Sequence, residues 1–116
     1  MNSVLKGNVK HLFSLKTSNE VKKVLICGSF DNWQNKYALV PSIGADGSKN
    51  WFQDMWLDKK KYQYKYLVDD EWRCDPASTI CIVDGGNINN EIDLTGKMSK
   101  IYSFLYYITM YLDPTG

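Results

Sequence analysis

The sequence predicts an all-β protein, an antiparallel β-sandwich with a short aromatic C-terminal tail. Three observations carry this: strand-like runs recur at spacings of roughly ten residues, turn residues separate them, and no long amphipathic helix pattern precedes residue 95. A chain of 116 residues suffices for one domain. Such a domain buries roughly two-thirds of its unfolded surface, so its core needs neither disulfides nor a metal.

Taken in order, Val9, His11, Phe13 and Leu15 alternate with Lys10, Ser14 and Lys16, as a half-buried strand requires. The run from Val21 to Cys27 is a firmer strand that leads straight into a Gly28-Ser29 turn. After the turn signal ADGS at 45–48, Trp51, Gln53, Met55 and Leu57 fall on one face of an extended segment, with Phe52, Asp54 and Trp56 on the other. Lys59-Lys60-Lys61 reads as a solvated turn between two strands. From Tyr62 to Val68 the alternation returns, with Tyr64, Tyr66 and Val68 set against Gln63, Lys65 and Leu67. Asp69-Asp70-Glu71 then makes a tight acidic turn ending at Trp72. Thr79 to Val83 is a short β-branched run, DGGN at 84–87 is a turn, and Ile88, Asn90 and Ile92 share one face of a strand that reaches Leu94.

The C-terminal segment changes character. From Ile101 to Leu112 it is almost wholly apolar or aromatic, yet far shorter than the stretch of about 20 residues that spans a bilayer. Ile101, Phe104, Leu105, Ile108, Tyr111 and Leu112 fit helical spacing, but Tyr102, Tyr106, Tyr107 and Met110 line the opposite side and leave no polar face. The segment therefore either packs on the sandwich or meets a partner. The chain divides into 1–19, an extension or first strand; 20–94, the sandwich; and 95–116, the tail.

Composition excludes several functions. With 14 Lys+Arg against 13 Asp+Glu the chain has no broad field to recruit nucleic acid or anionic lipid. Cys27, Cys74 and Cys81 contain no CxxC pair, and His11 is the only histidine, so no zinc site and no metal are expected. The N-terminus lacks a continuous apolar run, and Asn2 excludes N-myristoylation, so a cytoplasmic chain with reduced thiols is expected. His11 sits in a strand without a nucleophile motif, and the carboxylates of Asp69, Asp70 and Glu71 would be solvated in their turn. Gly85 and Gly86 do not open a helix after a strand and form no phosphate cradle. No catalytic residue and no cofactor are assigned, and an enzyme is not expected.

What remains is tryptophan on turns. The stretch GSFDNW at 28–33 places Phe30 and Trp33 in a loop that should be polar, and Trp72 follows a second turn. Each alone reads as a core or rim residue with its N–H satisfied. Two in the same local setting point to a platform for sugars, because an aromatic face and the C–H face of a pyranose shed water together. Lys65 and Asn89 have the donors and acceptors to reach vicinal hydroxyls.

The stretches VLICGSFDNW, YQYKYLVDDEWRCDP and GGNINNEIDL occur in that order. Over residues 20–94 the chain thereby resembles the glycogen-binding domain of AMP-activated protein kinase β subunits, a family 48 carbohydrate-binding module. The resemblance implies an immunoglobulin-like β-sandwich that binds α-1,4-linked glucans without catalysis. It further implies that Trp33 and Trp72 stack on glucose rings, that Lys65 and Asn89 bond sugar hydroxyls, and that Phe30 lids the core. The chain departs from the family pattern at two places. Gly85-Gly86-Asn87 stands where the family usually has Leu-Gly-Thr; Asn87 could replace the threonine's bond to the sugar, but Gly85 offers no side chain. Asp70 stands where the family has glycine, and adds an acid beside Trp72.

The expected function is therefore a non-catalytic module for glycogen or starch that tethers or targets a partner, which the resemblance implies is kinase-regulatory. The alternative is a scaffolding subunit that uses the sandwich and the segment from Ile101 to Leu112 for protein contact. Nothing after residue 94 has the length of the domain that completes a kinase β subunit, and the ending DPTG also suits a fragment of a larger protein.

Overall fold

The computed structural model describes residues 7–97. The expectations for residues 1–6 and for most of the tail, including the partner segment from Ile101 to Leu112, lie outside the described residues. Among the described residues nine strands follow in chain order: β1 Val9–Thr17, β2 Val24–Gly28, β3 Tyr37–Ala38, β4 Val40–Ile43, β5 Lys49–Leu57, β6 Lys61–Val68, β7 Glu71–Arg73, β8 Ile80–Ile82 and β9 Ile88–Asp93. One sheet has the order β1-β5-β4; the other runs β3-β2-β6-β9-β8, with β7 also paired to β6. Every pairing is antiparallel. This is the all-β sandwich that the alternation predicts.

The period-two pattern decides which face of each strand is buried. Val9, Phe13 and Leu15 of β1 and Trp51, Met55 and Leu57 of β5 meet Val24 and Ile26 of β2 and Tyr62, Tyr64, Tyr66 and Val68 of β6 in one core. Phe13 and Tyr64 pack edge-on across the sandwich, ring centres 5.0 Å apart. Polar tips in this aromatic core find partners: the Tyr66 hydroxyl donates to the Ser14 carbonyl at 3.1 Å and Trp51 Nε1 donates to Thr17 Oγ1 at 2.8 Å.

Several boundaries differ from the pattern, each for a local reason. The second strand opens at Val24 and not Val21, because the amides of Lys22 and Lys23 donate to the Asp69 carboxylate, outside the ladder. The acidic turn holds only Asp69 and Asp70, both at positive φ, and Glu71 already pairs with Val68 in β7. Two residues with positive φ are what a tight hairpin needs to match strand twist. Neither β3 nor β4 is announced in the sequence. The first is two residues long, and the second is an edge strand with all four residues exposed, where Pro41 is tolerated and no alternation is required.

Candidate functional site

The loop after β2 explains its two aromatics. Ser29–Asp31 forms one 3-10 turn, and Asn32 and Trp33 follow at φ 59° and 61°. Consecutive left-handed residues other than glycine cost of the order of 1 kcal/mol each and persist only where the surroundings fix them. Here the Trp33 amide donates to the Gly28 carbonyl at 2.9 Å. The Asp31 carboxylate is the hub of the loop, accepting from the Gln34 amide, the Asn35 side chain and the Tyr37 hydroxyl. Burial, reinforced by the bond to Asp31, pushes the Tyr37 phenol up to about 12. Phe30 turns inward, its ring about 6 Å from those of Phe13, Tyr37 and Tyr62. It is the lid on the core. Trp33 turns outward and is 40% exposed, whereas the core residue Trp51 is 2% exposed.

The outer face of the larger sheet gathers the other residues. Lys65 lies opposite Cys27 of β2, and the β6–β9 register, which pairs Tyr64 with Asn90, runs on to set Lys65 beside Asn89. Cys81 pairs with Asn89 on the far side. Two residues along β6, on the same face and roughly 7 Å away, Leu67 lies opposite Trp72 of β7, which is 49% exposed. Trp33 approaches from the β2 side, where its carbonyl accepts the Cys27 thiol at 3.5 Å. Burial, with the Asp31 carboxylate adding to it, pushes that thiol up, so it stays a neutral donor beside the Trp33 backbone. Cys74 lies beyond Trp72, its thiol raised by burial while the nearby Lys65 ammonium opposes the rise.

The structure thus brings Trp33, Lys65, Trp72 and Asn89 to one open face, with Trp33 at the β2 side of β6 and Trp72 on its other side, further along the strand. Asn87, two residues before Asn89, is exposed at the β8–β9 turn, its side chain donating weakly to the Asp84 carbonyl at 3.4 Å. In that turn Gly85 and Gly86 have φ 76° and 79°, and a Cβ on either would meet open space or ordinary contact. Backbone conformation, and not crowding, keeps them glycine.

Two residues that matter to this face escape a reading of the motifs. Gln63 accepts the Asn89 side-chain amide at 3.0 Å and fixes its direction; its only signal is that it shares the parity of Lys65. Asp31 braces the loop, and its signal is an acidic residue inside a turn. The asparagine pair itself divides by parity. Asn89 faces out, while Asn90 is fully buried, accepting the Asp75 amide and donating to the Asp75 and Thr79 carbonyls.

Elsewhere, His11 packs edge-on against Phe13 at 4.6 Å, and its buried Nδ1 has no hydrogen-bond partner among the described residues. Among the described residues no group of three or more His, Cys, Asp and Glu could hold a metal ion, and no helix is long and apolar enough to cross a membrane. Two clefts of about 340 and 350 Å³ lie at the loop 29–32 and beside Val21 and Cys74; neither includes Lys65, Trp72 or Asn89.

A sandwich that presents two tryptophans and a row of polar side chains on an open sheet has the form of a binding module. Known proteins give it a family. The sequence profile described as the glycogen recognition site of AMP-activated protein kinase matches residues 13–100. The 5'-AMP-activated protein kinase subunit beta-2 of Mus musculus is 30% identical over 102 residues, which is 88% of this chain and 36% of the relative. The Homo sapiens subunit beta-2 gives the same values. Subunit beta-1 of Sus scrofa is 34% identical over 73 residues, 63% of this chain and 55% of the relative. This chain belongs to the family of the glycogen recognition site of AMP-activated protein kinase. It spans 36% of the beta-2 relatives and 55% of that beta-1 relative.

Proposed function

We propose that the chain is a non-catalytic module that binds α-1,4-linked glucan, glycogen or starch, on the outer face of its larger sheet. The observation that supports this best is the common placement of Trp33 and Trp72, both half-exposed, on either side of Lys65, with Asn89 beside Lys65 on the same face. The two indoles offer rigid apolar surfaces for successive sugar rings, and water leaves both partners on contact. Lys65 donates to ring hydroxyls. Asn89, held by Gln63, both donates and accepts, and Asn87 extends the polar edge toward the turn. Such a face is open along its length, as a polymer requires, where a small molecule would call for a closed pocket.

By analogy with the kinase subunits it resembles, the module tethers a cytoplasmic kinase assembly to its storage glucan. Glucan titration followed by tryptophan fluorescence tests the binding. Trp33→Ala and Trp72→Ala should each weaken it by tenfold or more, roughly 1.4 kcal/mol, since desolvated aromatic anchors dominate such contacts. Unchanged glycogen binding in both variants overturns the reading.

A further inference from the structure

The polar row on the outer face of the larger sheet continues past Lys65 and Asn89. Along β9 the side chains alternate: Asn89 faces out, Asn90 is fully buried and Ile92 packs against the core, so Glu91 faces out with Asn89. The register sets Glu91 directly opposite Gln63 of β6, two residues and roughly 7 Å from Asn89 on the same face.

Glu91 is half-buried, yet its carboxylate has no hydrogen bond or ion pair among the described residues. The acids around it are engaged: Asp93 accepts the amide and hydroxyl of Thr95, and Glu71 pairs with Arg73 at 2.7 Å. Gln63 turns its Oε1 to Asn89 and forms no bond with the carboxylate across from it. A partly desolvated carboxylate without donors is an exception in folded proteins, and it is satisfied by a partner from outside.

The chemistry of the row says which partner suits it. Lys61 and Lys65 flank Glu91 diagonally on the same face, which disfavours a cation. Lys65 only donates, Asn89 donates and accepts, and the Glu91 carboxylate only accepts, with two oxygens that can take two hydroxyls at once. Vicinal hydroxyls of a sugar ring meet all three.

We propose that Glu91 binds the hydroxyls of a further glucose unit, next to the one held by Lys65 and Asn89, on the side of the β5–β6 hairpin. The proposal rests on the glucan reading above and adds to its site a charged acceptor.

Calorimetric titration of the full chain with maltoheptaose tests it. Glu91→Leu keeps an apolar stem and removes the acceptor; affinity should fall roughly threefold to tenfold, as for one net hydrogen bond. Glu91→Gln keeps a neutral acceptor and should lose roughly twofold to threefold, since charged acceptors bind about twice as strongly as neutral ones. Thermal unfolding should not fall in either variant, because the carboxylate holds no other part of the fold. Asp54→Asn, the same change of charge on the smaller sheet, should leave affinity unchanged. Affinity equal to or tighter than that of the unmodified protein in both Glu91 variants overturns the subsite alone, as does an equal loss in Asp54→Asn. Failure of the unmodified protein to bind maltoheptaose overturns the glucan reading, and the subsite with it.

Discussion

The side-chain amide of Asn89 donates to Oε1 of Gln63 at 3.0 Å, linking β9 to β6 on the solvent side of the sheet. This bond fixes which way the asparagine presents its remaining donor and acceptor. Gln63→Ala should therefore weaken glucan binding although Gln63 need not touch sugar. A net hydrogen bond of about 0.5–1.5 kcal/mol corresponds to a loss of roughly twofold to tenfold. Thermal unfolding should barely move, because the bond lies on the outer face, away from the core. Titration and melting of the same variant check both halves.

Asp31 is the second point of control. Three donors converge on its carboxylate, and the left-handed pair Asn32 and Trp33 sits directly beyond it. Asp31→Ala should destabilise the fold by about 1–3 kcal/mol, because it strands the partly buried Tyr37 hydroxyl. It should also lower the Tyr37 ionisation from about 12 toward its ordinary 10, although the burial that contributes most remains. The sign follows from linkage. A phenol raised in the fold contributes stability fully present below pH 10 and lost as pH climbs toward 12. An ultraviolet absorbance titration of the phenols, run beside a melting curve, reads both effects.

How much of this was legible in the sequence depends on the residue. That Phe30 turns into the core and Trp33 out of it was legible through the family motif, and Lys65 could be placed because period-two alternation leaves it no other face. The β7 strand was not legible. Three residues between an acidic turn and Cys74 have no pattern to show, and the pairing of Trp72 with Leu67 depends on a turn of two residues where the sequence suggests three. Nor could Gln63 be singled out, since its partner Asn89 is 26 residues away and side-chain bonds between strands follow register, which local patterning does not reveal. The cleft at the loop 29–32 is likewise a product of topology: its two walls, that loop and the β5–β6 hairpin, are brought together only when β2 and β6 pair.

The hairpin turn itself separates two neighbouring aspartates. Asp69 has φ 45°, but its carboxylate accepts the amides of Lys22 and Lys23 at 3.0 and 2.9 Å, tying the turn to the approach of β2. Asp70 has φ 70° and only a solvated contact of 3.6 Å to Lys23. Asp70→Gly should relieve backbone strain and stabilise the protein by about 0.5–1 kcal/mol, because glycine occupies that conformation without a Cβ penalty. Asp69→Ala should destabilise by about 1–3 kcal/mol, since it removes the acceptor and keeps the positive φ. Denaturant melts of the two variants should shift in opposite directions.

His11 gives the fold a pH dependence of definite sign. Burial, with the Lys97 ammonium adding to it, holds the imidazole below its ordinary 6.5, and among the described residues the buried Nδ1 has no partner to reward protonation. Above pH 6.5 the ring is neutral in both the folded and unfolded chain and contributes no slope. As pH falls below 6.5 the unfolded chain takes up the proton first, so stability declines until the depressed folded value is reached. His11→Leu keeps the apolar contact with Phe13, removes the titrating group, and should flatten this limb. Urea unfolding of both proteins at a series of pH values should show slopes that diverge below pH 6.5 and coincide above it. Parallel slopes throughout would place the acid sensitivity on the carboxylates.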